Sequence, residues 1–138
     1  MATSSPRKRR RFHWTRAHLE RLPDDGNRYE VLEGELLVTP QAGMAHQRIS
    51  AILAAKLDAY GQQHAIGVVF ASGAVVFGEN ELLPDVQVIP MTEREARVGD
   101  WKTSPTSLLA IEIVSPGSER MDRGKKRAAY LGLGIGEY

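Results

Sequence analysis

Two acidic residues stand where an acid is costly. Asp85 lies within Leu82-Leu83-Pro84-Asp85-Val86-Gln87-Val88, and Glu112 within Leu108-Leu109-Ala110-Ile111-Glu112-Ile113-Val114, each an apolar run of strand length. A charge buried in such a run needs a cation or a proton to compensate it. Period-two alternation sets Asp85 on one face with Leu83 and Gln87, and Glu112 on one face with Leu108, Ala110 and Val114. If the two strands are neighbours with matched faces, both carboxylates enter one spot. Two carboxylates beside a lysine suit a hard divalent cation such as magnesium, which takes one or two protein acids together with water and phosphate. Hydrolysis of a phosphodiester uses such a site. The plain alternative is an acid at each strand end, solvated or salt-bridged.

The elements that must position these acids follow from the pattern along the chain. Residues 1–13 read as a disordered basic tail, small, Ser- and Arg-rich and without periodicity. Thr15 is placed to cap a short helix through Arg21 that turns Leu19 and Leu22 inward and ends at Pro23. Arg28 to Leu32 and Glu35 to Thr39 form a first hairpin on Glu33-Gly34, where the glycine permits a positive φ. Ala45 to Gln63 is the clearest helix, with Ile49, Ile52, Leu53, Leu57 and Tyr60 on a stripe expected to face the sheet. His46 falls in its first turn, where free amides and the helix dipole attract an anion, so it is a candidate phosphate contact as well as an ordinary surface histidine.

Val68 to Ser72 and Ala74 to Phe77 are strand material broken at Gly73, and a turn at Gly78 to Glu81 makes a second hairpin that delivers Asp85. A helical turn is expected near Thr92 to Ala96. Leu108 to Val114 is so continuously apolar that it reads as a central strand covered on both faces. Ser118 is placed to cap a helix from Glu119 to about Leu131 that carries Arg120, Arg123, Lys125, Lys126 and Arg127 just beyond the strand bearing Glu112. Lys126 there has an ordinary explanation, an i,i+4 pair with Asp122.

Composition limits the chemistry. The chain has 138 residues, enough for one domain with a core of its own, and no cysteine, so disulfides and thiolate metal sites are excluded. His13, His18, His46 and His64 show no zinc-ligand spacing. The net charge of +1 hides an uneven distribution: of 18 basic residues, five are Arg7-Lys8-Arg9-Arg10-Arg11, leaving 13 against 17 acids. The body is therefore not a general polyanion binder, whereas the tail has the character of a sequence-independent phosphate grip or a solvated arm. Arg10-Arg11-Phe12 lacks the apolar stretch of a twin-arginine export signal, and no run approaches the ~20 apolar residues of a membrane span. A soluble cytoplasmic protein with no membrane partner is expected.

Taken together, Tyr29-Glu30-Val31-Leu32-Glu33-Gly34-Glu35-Leu36, His46-Gln47-Arg48-Ile49, Pro84-Asp85, Glu112-Ile113-Val114-Ser115-Pro116 with Ser118, then Asp122, Lys126, Tyr130 and Glu137-Tyr138 resemble the Uma-two family of bacterial endonucleases. The resemblance runs from about Thr15 onward and looks like a branch of the PD-(D/E)XK nuclease superfamily. It implies an α/β (α+β) fold, a restriction-endonuclease-like mixed sheet flanked by helices over 14–138, and magnesium-dependent phosphodiester cleavage, with manganese as the substitute ion. It also implies that Asp85 and Glu112 bind the metal, that Glu30 supplies a third ligand directly or through water, and that Lys126 takes the place of the superfamily's lysine, because Val114 stands two residues after the second acid. Lys125 is the fallback. Arg120, Arg123 and Arg127 are then the expected phosphate contacts. Family members continue beyond Glu137-Tyr138 into another strand, so this chain is expected to lack its last strand or strands. The expected partners are a nucleic acid, DNA in preference to RNA, and a second copy in a homodimer. The rival readings are a nucleic-acid-binding module without catalysis, working through the tail and the 120–127 helix, and a degenerate relative acting as an interaction domain.

Overall fold

The computed structural model describes residues 11–138; the expected basic tail lies outside the described residues except for Arg11-Phe12-His13. Trp14 bonds the Gly34 carbonyl through its backbone N–H (2.9 Å), and a short helix α1 (Arg16–Leu19) follows, two residues shorter than expected. The first hairpin forms as the sequence predicts. β1 (Arg28–Leu32) and β2 (Glu35–Thr39) pair antiparallel from Arg28↔Thr39 to Leu32↔Glu35. Glu33 and Gly34 both take positive φ, 51° and 79°, the backbone of the two-residue turn whose twist suits a hairpin.

The long helix α2 (Met44–His64) is where expected, but it is rotated relative to the predicted stripe. Ile49 and Tyr60 are 45% and 53% exposed. The face turned to β3 (Val68–Ala71) keeps Leu53 and Leu57 of that stripe and adds Ser50, Ala54, Asp58 and the buried Gly61. The physical reason is close approach: Gly61 lets the helix sit against the Gly67 carbonyl, whose oxygen would lie 3.3 Å from a Cβ there.

After α2 the chain changes sheets twice. β4 (Val75–Phe77) and β5 (Asn80–Leu82) form the second hairpin, which joins the first in a four-stranded antiparallel sheet ordered β2-β1-β5-β4. β6 (Val86–Ile89) instead pairs with β3 and with β7 (Leu109–Ile111) in a three-stranded antiparallel sheet, β3-β6-β7. Ser72 and Gly73, at φ 76° and 116°, make the first crossing, and Leu83-Pro84-Asp85 makes the second. The expected single mixed sheet is thus two antiparallel sheets, with one parallel bridge between Leu109 and Glu137. Helix α3 (Glu93–Val98), opened by Thr92 and Glu95 bonding reciprocally, fills the polar connection.

The expected central strand over 108–114 is corrected. β7 is three residues long, and Leu108 and Val114 are 44% and 43% exposed. The central, fully covered strand is β6, whose four residues are all buried. The chain then closes through one continuous helical segment: α4 (Glu119–Met121), a π-helical turn (Asp122–Lys126) and α5 (Arg127–Gly132). Ser118 does not cap it by its side chain. Its Oγ accepts the Ser115 N–H at 3.1 Å instead. Tyr130 from this helix packs with Leu32, Leu82, Ala110 and Ile135 in the main core, each large aliphatic side chain there stabilising the fold by about 1.5–3 kcal/mol. No helix among the described residues is long and apolar enough to cross a membrane.

Gly67 joins α2 to β3 at φ 141°, and a Cβ there would lie 2.2 Å from the Ile89 carbonyl oxygen, a backbone atom of β6. Gly67→Ala is expected to destabilise the protein by at least about 2 kcal/mol. A thermal melt checks this; a midpoint equal to that of the unsubstituted protein would contradict the β3–β6 alignment.

Candidate active site

Asp85 and Glu112 come together because of strand register. β6 and β7 pair as Val86↔Ile111, Gln87↔Ala110 and Val88↔Leu109, and continuing that register by one residue sets Asp85 opposite Glu112. Both acids sit just outside their strands, at the ends where the hydrogen-bond ladder opens. The Asp85 N–H still bonds the Ile111 carbonyl at 2.9 Å, and the Ile113 N–H donates to Asp85 Oδ2 at 2.7 Å. Both side chains line an open cleft of about 310 Å³, together with Arg28, Glu30, His46, Asp122 and Lys126.

Each acid has its own cations. Asp85 is 6% exposed; Arg28 Nη1 donates to its Oδ1 at 2.6 Å, and His46 Nε2 donates to its Oδ2 at 3.1 Å. Arg28 Nη2 also donates to the Leu83 carbonyl. Asp85 draws its partners from the head of β1 and the first turn of α2, so the two sheets and the helix meet at this carboxylate.

Glu112 belongs to a second cluster around Lys126. The Lys126 ammonium reaches Glu30 Oε2 at 2.8 Å, Glu112 Oε1 at 3.2 Å and Asp122 Oδ1 at 3.5 Å, with all four side chains no more than 6% exposed. The Tyr130 hydroxyl donates to Glu112 Oε1 at 2.9 Å. Both contacts fall on Oε1, and among the described residues none falls on Oε2. Burial drives the Glu112 carboxyl up to about 7; Lys126 opposes that shift, while Glu30, Asp85 and Asp122 add to it. Burial pulls the Lys126 amine down, yet Glu112, Glu30 and Asp122 outweigh it and hold the amine above the ordinary lysine range. Burial, with Glu112 nearby, pushes the Tyr130 hydroxyl far up, so it serves as a donor.

The structure therefore places Asp85, Glu112, Lys126, Glu30 and His46 in one cleft. Glu30, the expected third ligand, has both carboxylate oxygens engaged. Its Oε1 accepts the Leu83 N–H at 2.7 Å and its Oε2 is taken by Lys126, and among the described residues no three His, Asp or Glu side chains converge as a metal cage. The donor set still suits one hard cation held by two carboxylates and completed by water. Arg120, Arg123 and Arg127 are exposed and do not line the cleft; Arg123 lies 3.4 Å from Glu119 one turn earlier. The fallback Lys125 is bound at the surface to Glu35, at 2.6 Å.

Arg28 in the cleft and Tyr130 behind Glu112 were given no role by sequence reasoning, and Asp122 only that of a partner for Lys126. Arg28 shares a strand face with Glu30, so period two alone would have sent both to the same place. Asp122 and Tyr130 flank Lys126 at i−4 and i+4, one stripe of the helix. The π-helical turn that carries Asp122 and Lys126 inward has no signature in the sequence; such wide turns recur at functional sites.

Comparison with known proteins bears on the family and the fold. The model of the Uma2 family, described as "Putative restriction endonuclease", matches residues 16–138. Curated proteins give no match. Among solved structures the chain is similar to one from Anabaena variabilis ATCC 29413, titled a "putative nuclease belonging to DUF820", at 20% identity and a TM-score of 0.64, over 86% of this chain and 68% of that one. At that identity the likeness is one of fold. Since the family match extends from α1 to Tyr138 and takes in every residue of the cleft, the chain belongs to the Uma2 family, whose description supports a nuclease function.

Proposed function

We propose that the protein is a divalent-metal-dependent endonuclease whose metal ligands are Asp85 and Glu112, with DNA as its substrate. The observation that carries this reading is the charge of the cleft. Four buried or nearly buried carboxylates, Glu30, Asp85, Glu112 and Asp122, face two permanent cations, Arg28 and Lys126. Among the described residues, these six groups carry a formal excess of two negative charges. Burial first, and then the neighbouring acids Glu30, Asp85 and Asp122, raise the Glu112 carboxyl to about 7. Such a cleft repels phosphate by itself, which argues against a grip on nucleic acid through this cleft alone, and a divalent cation offsets the excess.

A magnesium or manganese ion held there would polarise a phosphoryl oxygen and lower the pKa of a water. The chain's own residues supply the rest. Lys126, a donor with no acceptor, is oriented by Glu30 and Asp122 and stabilises negative charge developing on the phosphoryl group. Tyr130 fixes the Glu112 carboxylate by its hydroxyl. Arg120, Arg123 and Arg127 on the same helix hold neighbouring phosphates from the surface.

Purified protein is expected to cleave plasmid or oligonucleotide DNA in magnesium or manganese and to stop in EDTA. Asp85→Asn and Glu112→Gln should each lower the rate by about a hundredfold or more while leaving the far-ultraviolet spectrum unchanged. A folded wild type that leaves DNA intact in both ions, or cleavage indifferent to both substitutions, contradicts the proposal.

The buried charge also has a stability signature without metal. Because the folded pKa of Glu112 is raised above its unfolded value, the folded state holds that proton more tightly, and stability falls as pH rises from about 4.5 to about 7, then levels off. The shift corresponds to a loss on the order of 3 kcal/mol. In EDTA, Glu112→Gln should therefore melt higher than wild type at pH 8, and the gain should vanish towards pH 5. A variant less stable than wild type at both pH values would contradict the charge excess.

A further inference from the structure

Arg28 sits two residues before Glu30 and so turns to the same side of β1. Its Nη1 holds Asp85 Oδ1 at 2.6 Å, its Nη2 holds the Leu83 carbonyl, and its Nε is buried with no partner among the described residues. The second oxygen of Asp85 is taken by His46 and the Ile113 N–H. The acid proposed to bind metal is thus already clamped by a cation.

That clamp defines a competition. A divalent ion and a guanidinium draw on the same carboxylate oxygens, and each lowers the other's hold. Lys126, the other permanent cation of the cleft, is ringed by three carboxylates and anchored among them. Arg28 has a single carboxylate partner, lies at the cleft wall with its side chain 25% exposed, and carries a planar fork that matches two phosphate oxygens.

We propose that Arg28 is the phosphate-binding residue of this cleft, held on Asp85 until a divalent cation takes that carboxylate and turns the guanidinium over to the incoming phosphodiester. The proposal rests on the metal reading above. Its consequence is that metal and nucleic acid bind cooperatively, each favouring the arrangement the other needs, and linkage makes that coupling reciprocal.

The test compares wild type, Arg28→Gln, Arg28→Lys and Asp85→Asn. Manganese affinity is read from the electron paramagnetic resonance signal of free ion, and the affinity for a labelled DNA duplex is read by fluorescence anisotropy in calcium. Arg28→Gln should bind manganese about tenfold more tightly than wild type and the duplex about tenfold more weakly. Arg28→Lys keeps the charge, so its manganese affinity should stay near wild type, while its duplex affinity should fall because one ammonium does not reproduce the fork. A residue that merely braced Asp85 would give the opposite sign, weaker manganese binding in both Arg28 variants, and that result, or an unchanged manganese affinity in Arg28→Gln, overturns the exchange. If Arg28→Gln fails to fold, Arg28→Met, which also removes the charge, takes its place with the same expected signs. Wild type binding no manganese at a site lost in Asp85→Asn would overturn both this inference and the function it rests on; manganese binding that depends on Asp85 but ignores Arg28 overturns the exchange alone.

Discussion

One buried ammonium joins three parts of the chain. Lys126 Nζ is shared by Glu30 from β1, by Glu112 from beyond β7, and by Asp122 one turn earlier on its own helix. Taking these charges out of water costs several kcal/mol per ion, and the arrangement persists because each carboxylate keeps a further partner or a short path to the amine. Removing the lysine would leave three acids facing one another in a poor dielectric. Its presence lets the two sheets and the closing helix converge on a polar centre instead of an apolar one.

The backbone is bent to serve that centre. The chain leaves one sheet at Leu82 and enters the other at Val86, and the three residues between them carry most of the cleft's cross-links. Leu83 gives its N–H to Glu30 and its carbonyl to Arg28, and Asp85 receives Arg28 and His46. The same short segment thus satisfies backbone groups that lose their ladder partners at the crossing and aims a carboxylate into the opening. The π-helical turn does the corresponding work on the other wall, since a regular helix would place Asp122 and Lys126 a fraction of a turn away from Glu112.

Much of this was legible before any coordinates. The turn at Glu33-Gly34, the extent of α2, the helical turn near Thr92 and the span of the helix after Ser118, though not its cap, follow from local signals that tertiary contacts do not override. The embedded acids were legible for a related reason, because an unpaired carboxylate in an apolar run has few low-cost explanations. What was misread involved packing between elements. Ile49 and Tyr60 looked like part of the buried stripe of α2, whereas Gly61 permits the closer approach and takes the buried face. The run from Leu108 to Val114 looked like a central strand, but its apolar residues are spent at a sheet edge and in the cleft wall. Arg28 drew no notice because its partner lies 57 positions away, a distance over which no sequence period operates. The likeness to the endonuclease family added what residue patterns do not supply, the assignment of Lys126 to Glu112.

On the function proposed above, a divalent ion shared between Asp85 and Glu112 would match the excess negative charge of the cleft. Anomalous diffraction from crystals grown with manganese addresses it most directly. The account predicts a peak within about 2.3 Å of one oxygen from each of these two carboxylates, with Lys126 still bound to Glu30. An empty cleft beside manganese bound elsewhere, or a peak that touches neither acid, would contradict it.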